Sequence, residues 1–306
     1  MKKRMLSMIL AVCLILPGCG RAPEQSAGMT FTDDLGRSVT VQEPRRVAAL
    51  LGSFAQIWML SGGAVCATAD DAWDDLDLDL SDDVVNLGNT KQLSLELLLA
   101  AQPDFILAST NTRQNMEWRD TLESIGIPVA YFDVADFDDY LRLLKLCTDL
   151  TGRPDLYEEN GLTVQAQIDA VLEKRAGEPA TTVLCMRASA SGIAVKNSRD
   201  NVLGEMLHSL GCINIADSNA MLLENLSMEY ILAEDPEFIF IVQRGDDAEG
   251  MRQYVRDHLE SDPAWSKLTA VQQGKVYFMD KNLYNLKPNH RWGEAYEKLE
   301  EILRNG

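Results

Sequence analysis

Residues 93–107, LSLELLLAAQPDFIL, recur without a gap at 226–240 as LSMEYILAEDPEFIF, and eight of the fifteen aligned positions are identical. The shared residues are Leu93/Leu226, Ser94/Ser227, Glu96/Glu229, Leu99/Leu232, Ala100/Ala233, Pro103/Pro236, Phe105/Phe238 and Ile106/Ile239. Their order dictates a local structure. Each copy opens with Ser, whose hydroxyl accepts from a free N–H of a first helical turn. A Glu follows in that turn, where the helix dipole favours negative charge. Pro103 and Pro236 stop the helix, because proline pushes the preceding residue out of the α region. Phe105 to Ser109 and Phe238 to Val242 are then apolar runs of the length of a strand buried on both faces. A helix-to-strand step that occurs twice, at a spacing far longer than a solenoid period, predicts two α/β lobes.

The front of the chain reads as an address. Lys2, Lys3 and Arg4 precede an apolar run from Met5 to Leu16 that closes on Leu-Pro-Gly-Cys19. Such a run is too short to span a membrane and reads as a secretory signal. Residues 1–18 are predicted to be removed, and the polar stretch 19–28 is a flexible tether. With 28 basic against 47 acidic residues the formal charge is −19, and loss of Lys2, Lys3 and Arg4 makes the mature chain more negative still. That surface repels nucleic acid and anionic headgroups. Cys66, Cys147, Cys185 and Cys212 lie in apolar strand-like or helical stretches without CxxC spacing, so free buried thiols are predicted.

Between these features the chain alternates. Thr30 to Val41 reads as a hairpin about Asp33-Asp-Leu-Gly36. Strands at Val47 to Leu51, Val65 to Ala69, Phe105 to Ser109 and Val129 to Phe132 alternate with helices and predict a parallel sheet covered on both faces. Residues 70–83 form an acidic loop around Trp73. From Phe137 to Arg175 the pattern is helical, broken only at Gly152-Arg-Pro154. Apolar Leu156, Val164, Ile168, Val171 and Leu172 fall near one face of the second segment. The predicted organisation is a lobe over 29–150, a linking helix over 151–176 and a second lobe over 177–306. In the second lobe, strands are expected at Thr182 to Met186, Ile213 to Ile215, Phe238 to Val242 and Val276 to Met279, with a final helix from Arg291.

Several stretches taken in order resemble the substrate-binding proteins of ABC importers for iron-siderophores, haem and cobalamin. They are Thr32-Asp-Asp-Leu-Gly-Arg37, Gly88-Asn89 ahead of Ser94-Leu-Glu96, Pro103-Asp104 leading into a strand, and the second Ser-Met-Glu229. Asp262-Pro-Ala-Trp265 follows, with Leu268, Ala270-Val271 and Gly274-Lys-Val-Tyr277. The likeness spans essentially the whole mature chain. It implies an α/β fold of two Rossmann-like lobes with central parallel sheets, joined by one long α-helix, with the ligand cleft between the lobes. It implies a monomer that carries a small-molecule metal chelate to an ABC permease dimer. No catalytic residue, resident cofactor or metal ligand of the protein's own belongs to that expectation. Leu-Pro-Gly-Cys19 resembles the lipobox of bacterial lipoproteins, which implies lipidation of Cys19, an extracytoplasmic location and membrane attachment through the lipid alone. In that family one glutamate on each lobe docks with permease arginines, and Glu96 and Glu229 match those positions.

Ligands of open α/β sheets gather at the carboxyl ends of strands. Loops after the predicted strands, or beside the repeats, carry Ser53, Phe54, Trp73, Lys91, Asn111, Arg113, Arg187, Arg244, Tyr284, Arg291 and Trp292. On so acidic a chain, basic residues at loop ends suggest an anionic ligand, because guanidinium binds carboxylate in bidentate fashion. The aromatics are expected to stack on a bulky chelate. Two alternatives stand beside this reading. An exported α/β enzyme would carry a nucleophile elbow or a P-loop, and neither motif occurs. A binding protein for a small oxyanion or a bare metal ion is the other; the bare-ion form wants converging His and carboxylates, whereas His208, His258 and His290 are far apart in sequence.

Overall fold

The computed structural model describes residues 28–306. The predicted signal peptide, Cys19 and the tether up to residue 27 lie outside the described residues. Strands β1 (Met29–Thr32) and β2 (Ser38–Val41) form the antiparallel hairpin. At its turn Asp33, 3% exposed, accepts from the N–H groups of Leu35 (3.1 Å), Arg37 (3.0 Å) and Tyr131 (3.2 Å) and pairs with the Arg37 guanidinium at 2.5 Å. Because Tyr131 belongs to the neighbouring sheet, one buried carboxylate clips the hairpin onto the first lobe.

That lobe is a five-stranded sheet of β3 (Val47–Ala49), β4 (Val65–Thr68), β5 (Val85–Asn86), β6 (Phe105–Ser109) and β7 (Val129–Phe132), in the order β5-β4-β3-β6-β7. All neighbours are parallel. The second lobe contains β8 (Thr182–Ser189), β9 (Gly192–Lys196), β10 (Ile213–Asn214), β11 (Phe238–Gln243) and β12 (Val276–Met279), with parallel order β10-β8-β11-β12. Strand β9, not anticipated from sequence, pairs antiparallel with the later part of β8, beyond the short β10 pairing. The sequence repeat is also a backbone repeat. Ser94 and Ser227 accept from Leu97 and Tyr230 N–H, and the equivalent residues Gln102 (φ 49°) and Asp235 (φ 40°) both turn left-handed before the proline. The strands that follow, β6 and β11, each have strands on both sides.

Between the sheets, the helix Phe137–Thr151 ends on left-handed Gly152, and helical structure resumes from Pro154 to Arg175. This is the predicted linking helix with one departure, a π turn over Glu158–Leu162. Gly161 sits inside that turn against Leu141 and Leu144, where an added Cβ would lie 3.0 Å and 3.2 Å from their methyls. Tyr140 donates to the Asn160 carbonyl at 2.8 Å, and Asn160 Nδ2 donates to Leu60 O at 3.0 Å. The linking helix is thus pinned to the first lobe. The final helix Trp292–Asn305 packs along its second half. One apolar cluster consequently runs from Phe54, Trp58 and Phe105, through Tyr140, Ile168 and Trp292, to Leu203, Phe238 and Phe240.

Two outcomes test this packing. Desolvation raises the Asp33 carboxyl, but hydrogen bonds from Arg37 and Tyr131 outweigh it and hold the group below the usual carboxylate range. Its stabilisation is therefore present above the unfolded value of about 4 and lost as pH falls through the folded one. Asp33→Asn is expected to lose about 3 kcal/mol of unfolding free energy at pH 7, by denaturant titration, with the gap narrowing below about pH 3. Cys66, Cys147, Cys185 and Cys212 are free thiols. Thiol titration of denatured, unreduced mature protein should count all four; fewer than three would reveal a disulfide.

Candidate functional site

The parallel strands of both sheets point their C-termini at the gap between the lobes. In the first sheet the order reverses about β3, from which the chain builds outward through β4 and β5 on one side and then through β6 and β7 on the other; in the second it reverses between β8 and β11. Such switch points leave a crevice between diverging loops. The loop after β3 carries Ser53, that after β6 carries Asn111, and the ends of β8 and β11 carry Arg187 and Arg244.

The gap is bridged at two places. Buried Asn289, in a left-handed conformation (φ 52°), donates from Nδ2 to Ser53 O (3.0 Å) and Gln56 Oε1 (2.7 Å). Lys281 bonds Asp75 of the first lobe at 2.5 Å and Asp246 of its own, and Asn282 Nδ2 donates to Asp75 O at 2.9 Å. Desolvation alone would lower the Lys281 ammonium; its two carboxylates raise it instead.

On one side of these bridges lies a cavity of about 520 Å³ lined by Asn111, Asp133, Arg187, Arg199, Asp200, Asn201, Asn285 and Lys287, among others. Asn111 also lines an adjoining space of about 650 Å³ with Thr90, Lys91, Arg113 and Gln114. Apart from Arg113, the cations here lack carboxylate partners among the described residues. Among the described residues Arg187, Arg199, Arg244, Lys287 and Lys91 have no carboxylate oxygen within 4.0 Å. The nearby acids are already engaged, Asp200 by Lys196 at 2.8 Å and Asp133 by Asn111 Nδ2. Desolvation lowers the Arg187 pKa, and the positive charge of Arg244 lowers it further. Lys287 is lowered by desolvation too, against the opposing pull of Asp133 and Asp139.

A profile of the periplasmic binding protein family matches residues 47–283. The chain belongs to this family. The Fe(3+)-citrate-binding protein YfmC of Bacillus subtilis is 26% identical over 297 residues, covering 91% of this chain and 89% of that protein. Among solved structures, Staphylococcus aureus SirA complexed with staphyloferrin B superposes with a TM-score of 0.69 at 18% identity, covering 90% of this chain and 98% of the other. The vitamin B12 binding protein BtuF of Vibrio cholerae gives a TM-score of 0.69 at 17% identity, over 86% and 97% of the two chains. These structural likenesses speak to the fold, two lobes with a cleft between them.

Within this family architecture the predicted residues separate into groups. Lys91, Asn111, Arg113 and Arg187 line the cleft cavities, with Arg244 beside Arg187. Arg113 is mostly exposed and paired with Glu117 at 2.8 Å. Ser53 is buried at the floor, where its carbonyl takes the Asn289 bond. Trp73 is half-exposed on the acidic loop. The stacking role expected of the other aromatics is corrected. Phe54 is fully buried in the core. Tyr284, 2% exposed, donates to Ala295 O at 3.1 Å, and Trp292, 1% exposed, packs edge-on against Phe137. Arg291 is corrected as well, since both faces of its fork are spent on Glu294 at 2.7 and 3.0 Å. The sequence reading missed Arg199, Asn201, Asn285 and Lys287. Arg199 and Asn201 follow β9, which runs antiparallel to its neighbour, so the rule of parallel-strand carboxyl ends does not point to them; Lys287 follows the short helix after β12. Glu96 and Glu229 are exposed in first helical turns, as the repeat requires.

Beside the cleft, Asp71 Oδ1 accepts from Gly52 N–H at 2.9 Å and so caps the helix Gly52–Leu60 from outside. Burial pushes its carboxyl up to about 6, opposed by the Gly52 bond and helped by Asp70 and Asp75. A raised folded-state value means that its contribution is complete below about pH 4 and lost as pH rises through about 6. Asp71→Asn, which keeps the acceptor without the charge, should melt above the parent at pH 7.5, with the gap closing by pH 4. An equal gap at both pH values would contradict the assignment.

Proposed function

We propose that the protein is an extracytoplasmic carrier that captures an anionic metal chelate in the interlobe cleft and delivers it to an ABC importer. The observation that carries this reading is the set of unpaired cations. On a chain with 47 acidic residues, Arg187, Arg199 and Lys287 line one cleft cavity with Arg244 beside Arg187, and none of the four has a carboxylate partner among the described residues. Desolvation weighs on Arg187 and Lys287, and a ligand with several carboxylate or catecholate oxygens offsets that cost on binding. The name of the ferric-citrate-binding relative agrees with such a ligand. A flat macrocycle is less well served, because Phe54, Tyr284 and Trp292 are committed to the core and only Trp73 remains near the surface of the cleft loops.

The same reading gives the exposed glutamates a task. Glu96 and Glu229 stand one on each lobe, without salt-bridge partners among the described residues, and Leu97 and Leu99 beside Glu96 are 43% and 39% exposed. Two carboxylate anchors, the first flanked by exposed leucines, suit a two-fold partner such as a permease dimer. The carrier is proposed to act as a monomer, tethered through lipid on Cys19, and to bind rather than transform its cargo.

Titration with ferric citrate, haemin and cyanocobalamin, followed by fluorescence of the five Trp, is expected to show saturable binding of ferric citrate in preference to the other two. Binding of a bare metal ion or small oxyanion in the absence of any chelate would refute the proposal. Glu96→Arg with Glu229→Arg should leave chelate affinity and melting temperature nearly unchanged while abolishing uptake by the reconstituted importer. Unimpaired uptake would show the two carboxylates to be helix-end residues and nothing more.

A further inference from the structure

Among the cleft cations Lys287 occupies an unusual position. It lies on the segment joining the short helix Lys281–Tyr284 to Asn289, the residue that bridges to the first lobe. Its side chain is half-buried in the cavity of about 520 Å³, with Arg187, Arg199 and Asp200 from the second lobe and Asp133 from the first. Among the described residues its ammonium donates no hydrogen bond and has no carboxylate oxygen within 4.0 Å. Every nearby acid has another engagement. Asp133 receives Asn111 Nδ2, Asp139 receives Arg142 at 2.8 Å, and Asp200 receives Lys196 at 2.8 Å. Asp133 and Asp139 still attract Lys287 at longer range, whereas Arg187 and Arg199 line the same space with like charge.

We infer that Lys287 is the specificity-determining residue through which the cleft reads the charge of its ligand, an anionic oxygen of the bound chelate taking the place beside its ammonium. This rests on the carrier reading above and names the residue that makes that carrier selective. An amine left without a partner in a polar cavity has two stable outcomes, loss of its proton or acquisition of an anion. A neutral chelate supplies no anion and leaves the ammonium stranded; an anionic one satisfies it and holds the proton in place. Desolvation lowers the Lys287 ammonium, and an anion bound beside it opposes that lowering, so any proton linked to binding is taken up rather than released. The groups that set this balance are Asp133 and Asp139 on the first lobe and Arg187, Arg199 and Asp200 on the second. Asn111, Asn201 and Asn285 add donors and acceptors without charge, so they orient a ligand but do not select its sign.

The test uses the mature full-length protein and compares wild type, Lys287→Met and Lys287→Arg, with ferric citrate as the anionic probe and a neutral ferric trihydroxamate as the control. Lys287→Met is expected to weaken ferric citrate binding at least tenfold while changing any hydroxamate binding less than twofold, and Lys287→Arg to restore most of the loss. Calorimetry at about pH 8.5 in two buffers of different ionisation heat should find proton uptake with ferric citrate for wild type and none for Lys287→Met. Unchanged affinity and unchanged proton uptake in Lys287→Met would overturn the inference while leaving the carrier reading intact. A wild type that binds the hydroxamate complex but not ferric citrate would overturn the inference together with the anionic part of the carrier reading, leaving a carrier of neutral ferric chelates. If wild type bound neither complex, the inference and the ferric-carrier reading would fall together.

Discussion

The apolar seam along the helical run from Pro154 to Arg175 is the constraint on which the cleft depends. Val164, Ile168 and Val171 are buried there against the final helix, and the cluster they belong to continues into both sheets. Two lobes sharing one core do not swing freely, since a large opening would expose apolar surface at about 25 cal/mol per Å². The π turn reinforces this. Gly161 admits Leu141 and Leu144, and Asn160 ties the turn to Leu60, so the linking helix moves with the first lobe. Cleft residues are therefore held in a nearly fixed frame, with Asn289 and Lys281 as polar crossings.

A fixed frame allows charges to remain unsatisfied. Many cations elsewhere have carboxylate partners, as Arg142 does with Asp34 and Asp139, Lys145 with Asp149, and Lys298 with Glu294, while others such as Lys174, Lys267 and Lys275 have none among the described residues. Flexible surface side chains relax into such pairs at little cost, though each is worth little. In the cleft Asp133 and Asp200 are held by other bonds, and among the described residues Arg187, Arg199, Arg244 and Lys287 have no carboxylate oxygen within 4.0 Å. An acidic protein thereby presents one cationic pocket, and at physiological salt the repulsion of its distant charges is screened over about 8 Å while the local attraction is not. This reconciles an overall charge of −19 with an anionic cargo.

The parts of this picture legible in the sequence are those set by local chemistry. The Ser caps, the first-turn glutamates and the prolines of the repeat act within a few residues of themselves, and their structure followed. Long apolar strands announced both sheets, and the break at Gly152 with Pro154 marked the start of the linking helix. What stayed hidden depends on tertiary context. Phe54 and Trp292 start helices beside the cleft, yet side-chain direction sent both into the core. Arg291 was legible as a cation but not as one already engaged by a glutamate three residues on. Strand β9 is short and only partly buried, with too few apolar positions to stand out, and the loop it delivers to the cleft was lost with it. Lys287 carried no sequence signal, because its importance lies in what fails to surround it.

Hydrogen–deuterium exchange of the mature protein with and without saturating ferric citrate tests the central claim most directly. The account requires protection to concentrate on the loops after β6, β7, β8 and β9 and on residues 285–289, facing one another across the interlobe cleft. Protection confined instead to the crevice on the other side of the linking helix, lined by Asp136, Asp169, Glu205 and Tyr296, or spread without focus over the acidic loop 70–83, would contradict it.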